Sequence, residues 1–206
     1  MRRTAILLWL LSTSACSTYT GAGVAADFTR ARSDPGWTLL DGLSEHHQRA
    51  SWDCGIAVWR MVVEYWDVTP DPVLISEMLA PIASAQRPIR AAELRDLAIE
   101  HGLLAFVIEG RRADLDKHLA RGRPVIVGLI KPTLAGSNSH YEVVIGIHPA
   151  REVIMTFDPS LGYREISFAG FDEEWRASGS VALVILPQPS RVLASGDAPG
   201  PIAAVR

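Results

Sequence analysis

Cysteine, histidine and aspartate, in that order along a chain, are residue types that together open an acyl bond through sulfur. The chain has two cysteines, and one stands in Asp53-Cys54-Gly55. The run 54–66 (CGIAVWRMVVEYW) predicts a helix, nearly apolar all round and so deep in the core, with Asp53 at its N-cap position. A helix N-terminus carries partial positive charge, which stabilises a thiolate placed there. Gly55 has no side chain, so a substrate carbonyl could approach the backbone N–H groups. The bland alternative is a small buried cysteine acting as apolar filler. His140 follows Gly136-Ser137-Asn138-Ser139 and precedes the strand-like Tyr141-Glu142-Val143-Val144. A thiolate nucleophile needs a base, and a strand mouth fed by a polar loop holds one rigidly. Asp158 follows 18 residues later, in Phe157-Asp158-Pro159. If 141–147 and 153–157 form a hairpin, His140 and Asp158 lie at one end of adjacent strands. The carboxylate then fixes the imidazole tautomer. Gln48, six residues before Cys54, could turn its amide toward the nucleophile. With the Cys54 N–H it would form an oxyanion hole, where one donor contributes about 10²–10³ in rate. Taken singly, a loop glutamine, a loop histidine and an Asp-Pro turn each have a plain structural reading.

The elements that must position these residues follow from periodicity. Helices are expected over 54–66, 72–79, 90–100 and 114–120, the third stopped at His101-Gly102 and the fourth at Gly122. The period then changes to that of strands, at 124–130, 141–147, 153–157, 163–168 and 181–186, with a helical turn over 171–176. Helices first and strands second predict an α+β fold, a helical lobe packed on an antiparallel sheet.

Gln48…Asp53-Cys54-Gly55, with Ala57, Met61 and Tyr65-Trp66 beyond it, resembles the first motif of the bacteriocin-processing, double-glycine-leader cysteine peptidases. His140-Tyr141-Glu142-Val143-Val144-Ile145-Gly146 resembles their histidine motif and Asp158-Pro159-Ser160-Leu161-Gly162 their acidic motif. Gly102-Leu103 and Pro124-Val125-Ile126-Val127 match the text between, so the similarity spans about residues 43–186. The resemblance implies a papain-like fold and a peptide or protein substrate. It implies Cys54 as nucleophile, His140 as general base and then acid, Asp158 as its orienter and Gln48 as oxyanion donor. Neither transporter spans nor a phosphate-binding Gly-x-x-x-x-Gly-Lys loop occurs, so the likeness is to stand-alone, exported members. Such hydrolysis calls for no metal and no organic cofactor. Two other uses of the scaffold stay open: a thiol acyltransferase or cell-wall amidase, and a non-catalytic peptide-binding lipoprotein.

The ends of the chain speak to location. Arg2-Arg3, the apolar run Ala5-Ile6-Leu7-Leu8-Trp9-Leu10-Leu11 and the small residues before Cys16 have the order of a secretory signal. The segment is too short to span a membrane, which takes about 20 apolar residues. Ser14-Ala15-Cys16 resembles a bacterial lipobox, which implies acylation of Cys16 and a lipid anchor on the periplasmic face of the envelope. Ser17 after Cys16 points to the outer membrane, by resemblance to enteric sorting. Residues 1–15 then form the signal peptide, 16–36 a tether, 37–186 the peptidase domain, and 187–206 a disordered tail rich in Pro, Gly and Ser. With Cys16 acylated, Cys54 is a lone thiol in an oxidising compartment, a residue usually avoided unless its chemistry is used. The 206 residues are 48% hydrophobic and 21% charged, which excludes wholesale disorder and a coiled coil. The formal charge of −3 gives no basic field for nucleic acid. His46-His47 lacks a third ligand for a metal and reads as solvent-facing.

Overall fold

The computed structural model describes residues 21–85 and 87–189. The signal peptide at 1–15, Cys16 and most of the tail expected over 187–206 lie outside the described residues. Within them the order is β1 (Gly23–Ala25), α1 (Phe28–Arg32), β2 (Thr38–Leu39), α2 (Cys54–Tyr65), α3 (Pro72–Ser84), α4 (Ala91–Glu100), β3 (Leu103–Glu109), α5 (Arg112–Leu119), β4 (Val125–Thr133), β5 (Gly136–His148), β6 (Val153–Asp158), β7 (Gly162–Ser167), α6 (Phe168–Ala177) and β8 (Val181–Pro187).

One antiparallel sheet runs β1-β7-β6-β5-β4-β8-β3, with β2 paired to β5 off this path. Two cores form, one on each face. Trp59 and Val62 of α2 and Leu94 and Leu97 of α4 pack with Val143, Ile145 and Phe157 on one face. Leu115, Leu119, Phe171 and Trp175 of α5 and α6 pack with Val144, Ile147 and Ile154 on the other. A bulge between Val144 and Gly146 shifts the register of β5 against β6, which is how Ile145 and Ile147 come to face opposite cores. The α+β expectation is therefore met, with α2, which Cys54 opens, packed on the sheet.

Several boundaries differ from those the sequence suggests. The ordered chain begins well before Trp37: β1 pairs with β7, and Asp27 caps α1 by accepting from the Arg30 N–H at 3.0 Å. Residues 23–25 and 28–32, expected within the 16–36 tether, form β1 and α1, and β1 covers the edge that β7 would otherwise leave bare. The apolar run Leu103–Glu109 is a strand that pairs along its whole length with β8. The β4–β5 hairpin is longer than expected on both arms, reaching from Thr133↔Gly136 to Val125↔Val144.

Candidate active site

Cys54 opens α2 and is buried, as is every residue from it to Trp59. Asp53 occupies the N-cap position, yet its carboxylate does not cap the helix. It turns back instead, accepting from the N–H groups of Arg49 and Ala50 at 3.1 Å. The loop before the helix is thus wound around Asp53, and no side chain among the described residues caps the first turn of α2. The uncapped N-terminus keeps its partial positive charge directed at the Cys54 side of the site. Gly55 does not open a path for substrate. A Cβ there would stand 2.3 Å from Ile89 Cγ2 and 3.2 Å from Tyr141 Cδ2, so its missing side chain serves core packing.

The loop that Asp53 folds also carries Gln48 to the acidic turn. The Gln48 N–H donates to Pro159 O at 2.9 Å, and His47 Nδ1 meets the same carbonyl at 3.2 Å. The Gln48 side-chain oxygen is buried and accepts no hydrogen bond among the described residues, so the loop does not consume the amide. His46, read as solvent-facing, pairs with Glu64 at 2.6 Å, and His47 packs against the Phe157 ring.

His140 is the fifth residue of β5, not the first after a loop, because residues 136–139 are themselves paired with β4. Its Nε2 lies 2.9 Å from Asp158 Oδ1, at the end of β6, so the hairpin brings these two residues together as expected. Cys54 is near enough to the same imidazole to favour its protonation, and Asp158 on Nε2 leaves Nδ1 for the sulfur. Burial works against a charge on His140. The hydrogen bonds with Asp158 and Cys54 and the charges of Asp158 and Glu142 outweigh it, pushing the imidazole up to about 10. Burial likewise resists ionisation of Asp158. The His140 bond and charge, the Ser160 N–H at 2.7 Å and the Lys131 charge hold its carboxyl below the ordinary carboxylate value. Sulfur, imidazole and carboxylate therefore stand in one chain, with the ring held at Nε2 by Asp158.

Behind this chain lies a charged cluster that the sequence reading missed. Lys131 Nζ is 2.6 Å from Glu142 Oε1 and 2.7 Å from Glu174 Oε2, and Thr156 Oγ1 donates to Glu142 Oε2 at 2.5 Å. Burial lowers Lys131, and the two carboxylates more than reverse that, so it stays cationic. The signal was in the sequence: Lys131 and Glu142 are charges set against the apolar runs 125–130 and 143–147, and charges so placed are rarely buried unless paired. Ligand atoms of His140, Glu142 and Asp158 lie within 4.8 Å of one another and could meet a cation. The Lys131 ammonium is the positive charge placed there by the chain itself.

A family model described as papain-like cysteine protease AvrRpt2 matches residues 41–176. No curated protein matches the chain. Among solved structures, the peptidase domain of Streptococcus ComA, a bifunctional ABC transporter of a quorum-sensing pathway, superposes with a TM-score of 0.54 at 22% identity. It covers 69% of this chain and 97% of that one. A C39-like peptidase from Bacillus anthracis superposes with a TM-score of 0.56 at 19% identity, over 73% of this chain and 97% of its own. A double glycine motif protease from a PCAT transporter, solved with its leader peptide, gives 0.52 at 18% identity, over 71% and 93%. The fold is that of the peptidase domains to which the sequence motifs pointed.

Proposed function

The chain belongs to the papain-like cysteine protease AvrRpt2 family, and from that premise we propose that it hydrolyses peptide bonds through Cys54, His140 and Asp158, with Gln48 as oxyanion donor. The observation that carries this reading is the His140 imidazole bonded to Asp158 at 2.9 Å, with Cys54 near enough to the same ring to favour its protonation.

Cys54 Sγ adds to the carbonyl carbon of the scissile bond. The C–S bond forms and the carbonyl electron pair moves onto oxygen, where the Gln48 amide and the Cys54 N–H receive it. The tetrahedral intermediate collapses, the C–N bond breaks, and His140 gives its proton to the leaving amine. Water then loses a proton to His140 and attacks the thioester, and the C–S bond breaks to return the thiolate. Asp158 holds the ring in register and stabilises its cationic form, without itself becoming protonated.

A peptide substrate is supported by likeness to the protease solved with its leader peptide. The envelope location and the lipid on Cys16 rest on the order of residues in 1–17 alone. Among the described residues no helix is long and apolar enough to cross a membrane. Growth with an alkyne-tagged fatty acid should label the wild type and leave Cys16→Ala unlabelled. Equal labelling would remove the anchor.

The deciding experiment on the chemistry is alkylation of Cys54 by iodoacetamide at neutral pH. If His140 activates the sulfur, His140→Ala should react about tenfold or more slowly than wild type. Equal rates would remove the dyad and with it the enzymatic reading.

A further inference from the structure

Four buried charges stand closer together behind His140 than catalysis by three residues requires. Glu142 is 0% exposed, Asp158 3%, Lys131 4% and Glu174 4%. The carboxylates of Glu142 and Asp158 lie within 4.8 Å of each other. Two buried carboxylates at such a separation do not both ionise unless positive charge is supplied to each, and one of them otherwise keeps a proton. Asp158 has His140. Glu142 has as its counter-charge the Lys131 ammonium at 2.6 Å.

Resting on the catalytic reading above, we propose that Lys131 is a positioning residue: held between Glu142 and Glu174, it neutralises the carboxylate that crowds Asp158, so that Asp158 remains an ionised acceptor for His140. Four elements build this set. Lys131 comes from β4, Glu142 from β5, Glu174 from α6 and Thr156 from β6. Glu174 is itself placed by the Ala22 N–H, which donates to its Oε1 at 2.9 Å. The other titratable groups around the pair are His140 itself, from β5, with Cys54 of α2 acting on that imidazole, and His47, whose ring meets the carbonyl of Pro159, next to Asp158.

Without Lys131, Glu142 and Asp158 must share a proton over part of the pH range. In that state Asp158 no longer stabilises the imidazolium, and the thiolate forms only at higher pH. Removing the crowding carboxylates along with the lysine relieves the conflict. A role in packing alone makes no such exchange.

The test is the pH profile of Cys54 alkylation by iodoacetamide, from about pH 4 to 9, in the full chain. Lys131→Met should move the acid-side midpoint up by about one pH unit, a rate about tenfold lower at pH values below the wild-type midpoint. The triple variant K131M/E142Q/E174Q should return the midpoint to the wild-type position or below. Glu142→Gln alone keeps the lysine and should place the midpoint at or below wild type. Should K131M not fold, E142Q and the triple variant decide. A K131M profile that superposes on wild type overturns the proposal. So does a triple variant shifted upward as K131M is, or an upward shift in E142Q. His140→Ala is run beside them. If it alkylates like wild type, the catalytic reading itself has failed. If it is slow while K131M is unchanged, only the assignment of Lys131 has failed.

Discussion

At His140, burial and hydrogen bonding pull in opposite directions, and the bonds win. The imidazole sits at about 10 in the folded protein against about 6.5 in an unfolded chain. The folded state therefore binds this proton more tightly. Its stabilising effect is complete below about pH 6.5 and is lost as pH rises toward 10. Melting temperature should fall across that window in wild type and fall less in Asp158→Asn, whose side chain no longer offers a full negative charge. Parallel curves would mean that Asp158 is not what holds the proton. Cys54, His140 and Asp158 could be read as a candidate set because their neighbours form recognisable motifs in order. The role of Gly55 was not: its neighbours in space, Ile89 and Tyr141, are 34 and 86 residues away.

Among the elements, α2 carries the most of the design. Its first turn is left open because Asp53 is committed to the Arg49 and Ala50 amides. Asp53→Ala should cost about 1–2 kcal/mol in chemical denaturation, from three lost acceptances by a charged group, partly offset by solvent exposure. It should also slow peptide hydrolysis, since Gln48 rides on the same loop. Full stability in that variant would show the loop to be held by other means. Gly55→Ala drives a methyl into the Ile89 side chain, and overpacking of this kind costs about 1–3 kcal/mol. An unchanged unfolding midpoint would show that Ile89 can retreat. The sequence placed α2 to within a residue because its apolar face is wide and continuous. It placed His140 at a strand mouth because Gly136-Ser137-Asn138-Ser139 is polar. The structure makes these residues strand through pairing with β4, which polarity cannot announce.

For the whole molecule, the first strand matters out of proportion to its three residues. It closes the β7 edge, and the backbone just before it holds Glu174, which in turn holds Lys131. A chain trimmed to residues 37–206 should melt several degrees below one trimmed to 21–206, as loss of about 1 kcal/mol does in a domain of this size. It should also show faster amide exchange in β7. Identical melting and exchange would restore the boundary read at Trp37. The sequence by itself determined the class of fold and brought Cys54, His140 and Asp158 forward as the proposed nucleophile, base and orienter, because periodicity and motif order are local properties that a chain displays before it folds. Only the tertiary structure decided where the domain begins, what Asp53 and Gly55 are for, and that Lys131, Glu142 and Glu174 stand behind the site. Each of those depends on strands and helices remote in sequence meeting at distances of a few ångströms, where the energy of a charge or a methyl group is set by what surrounds it.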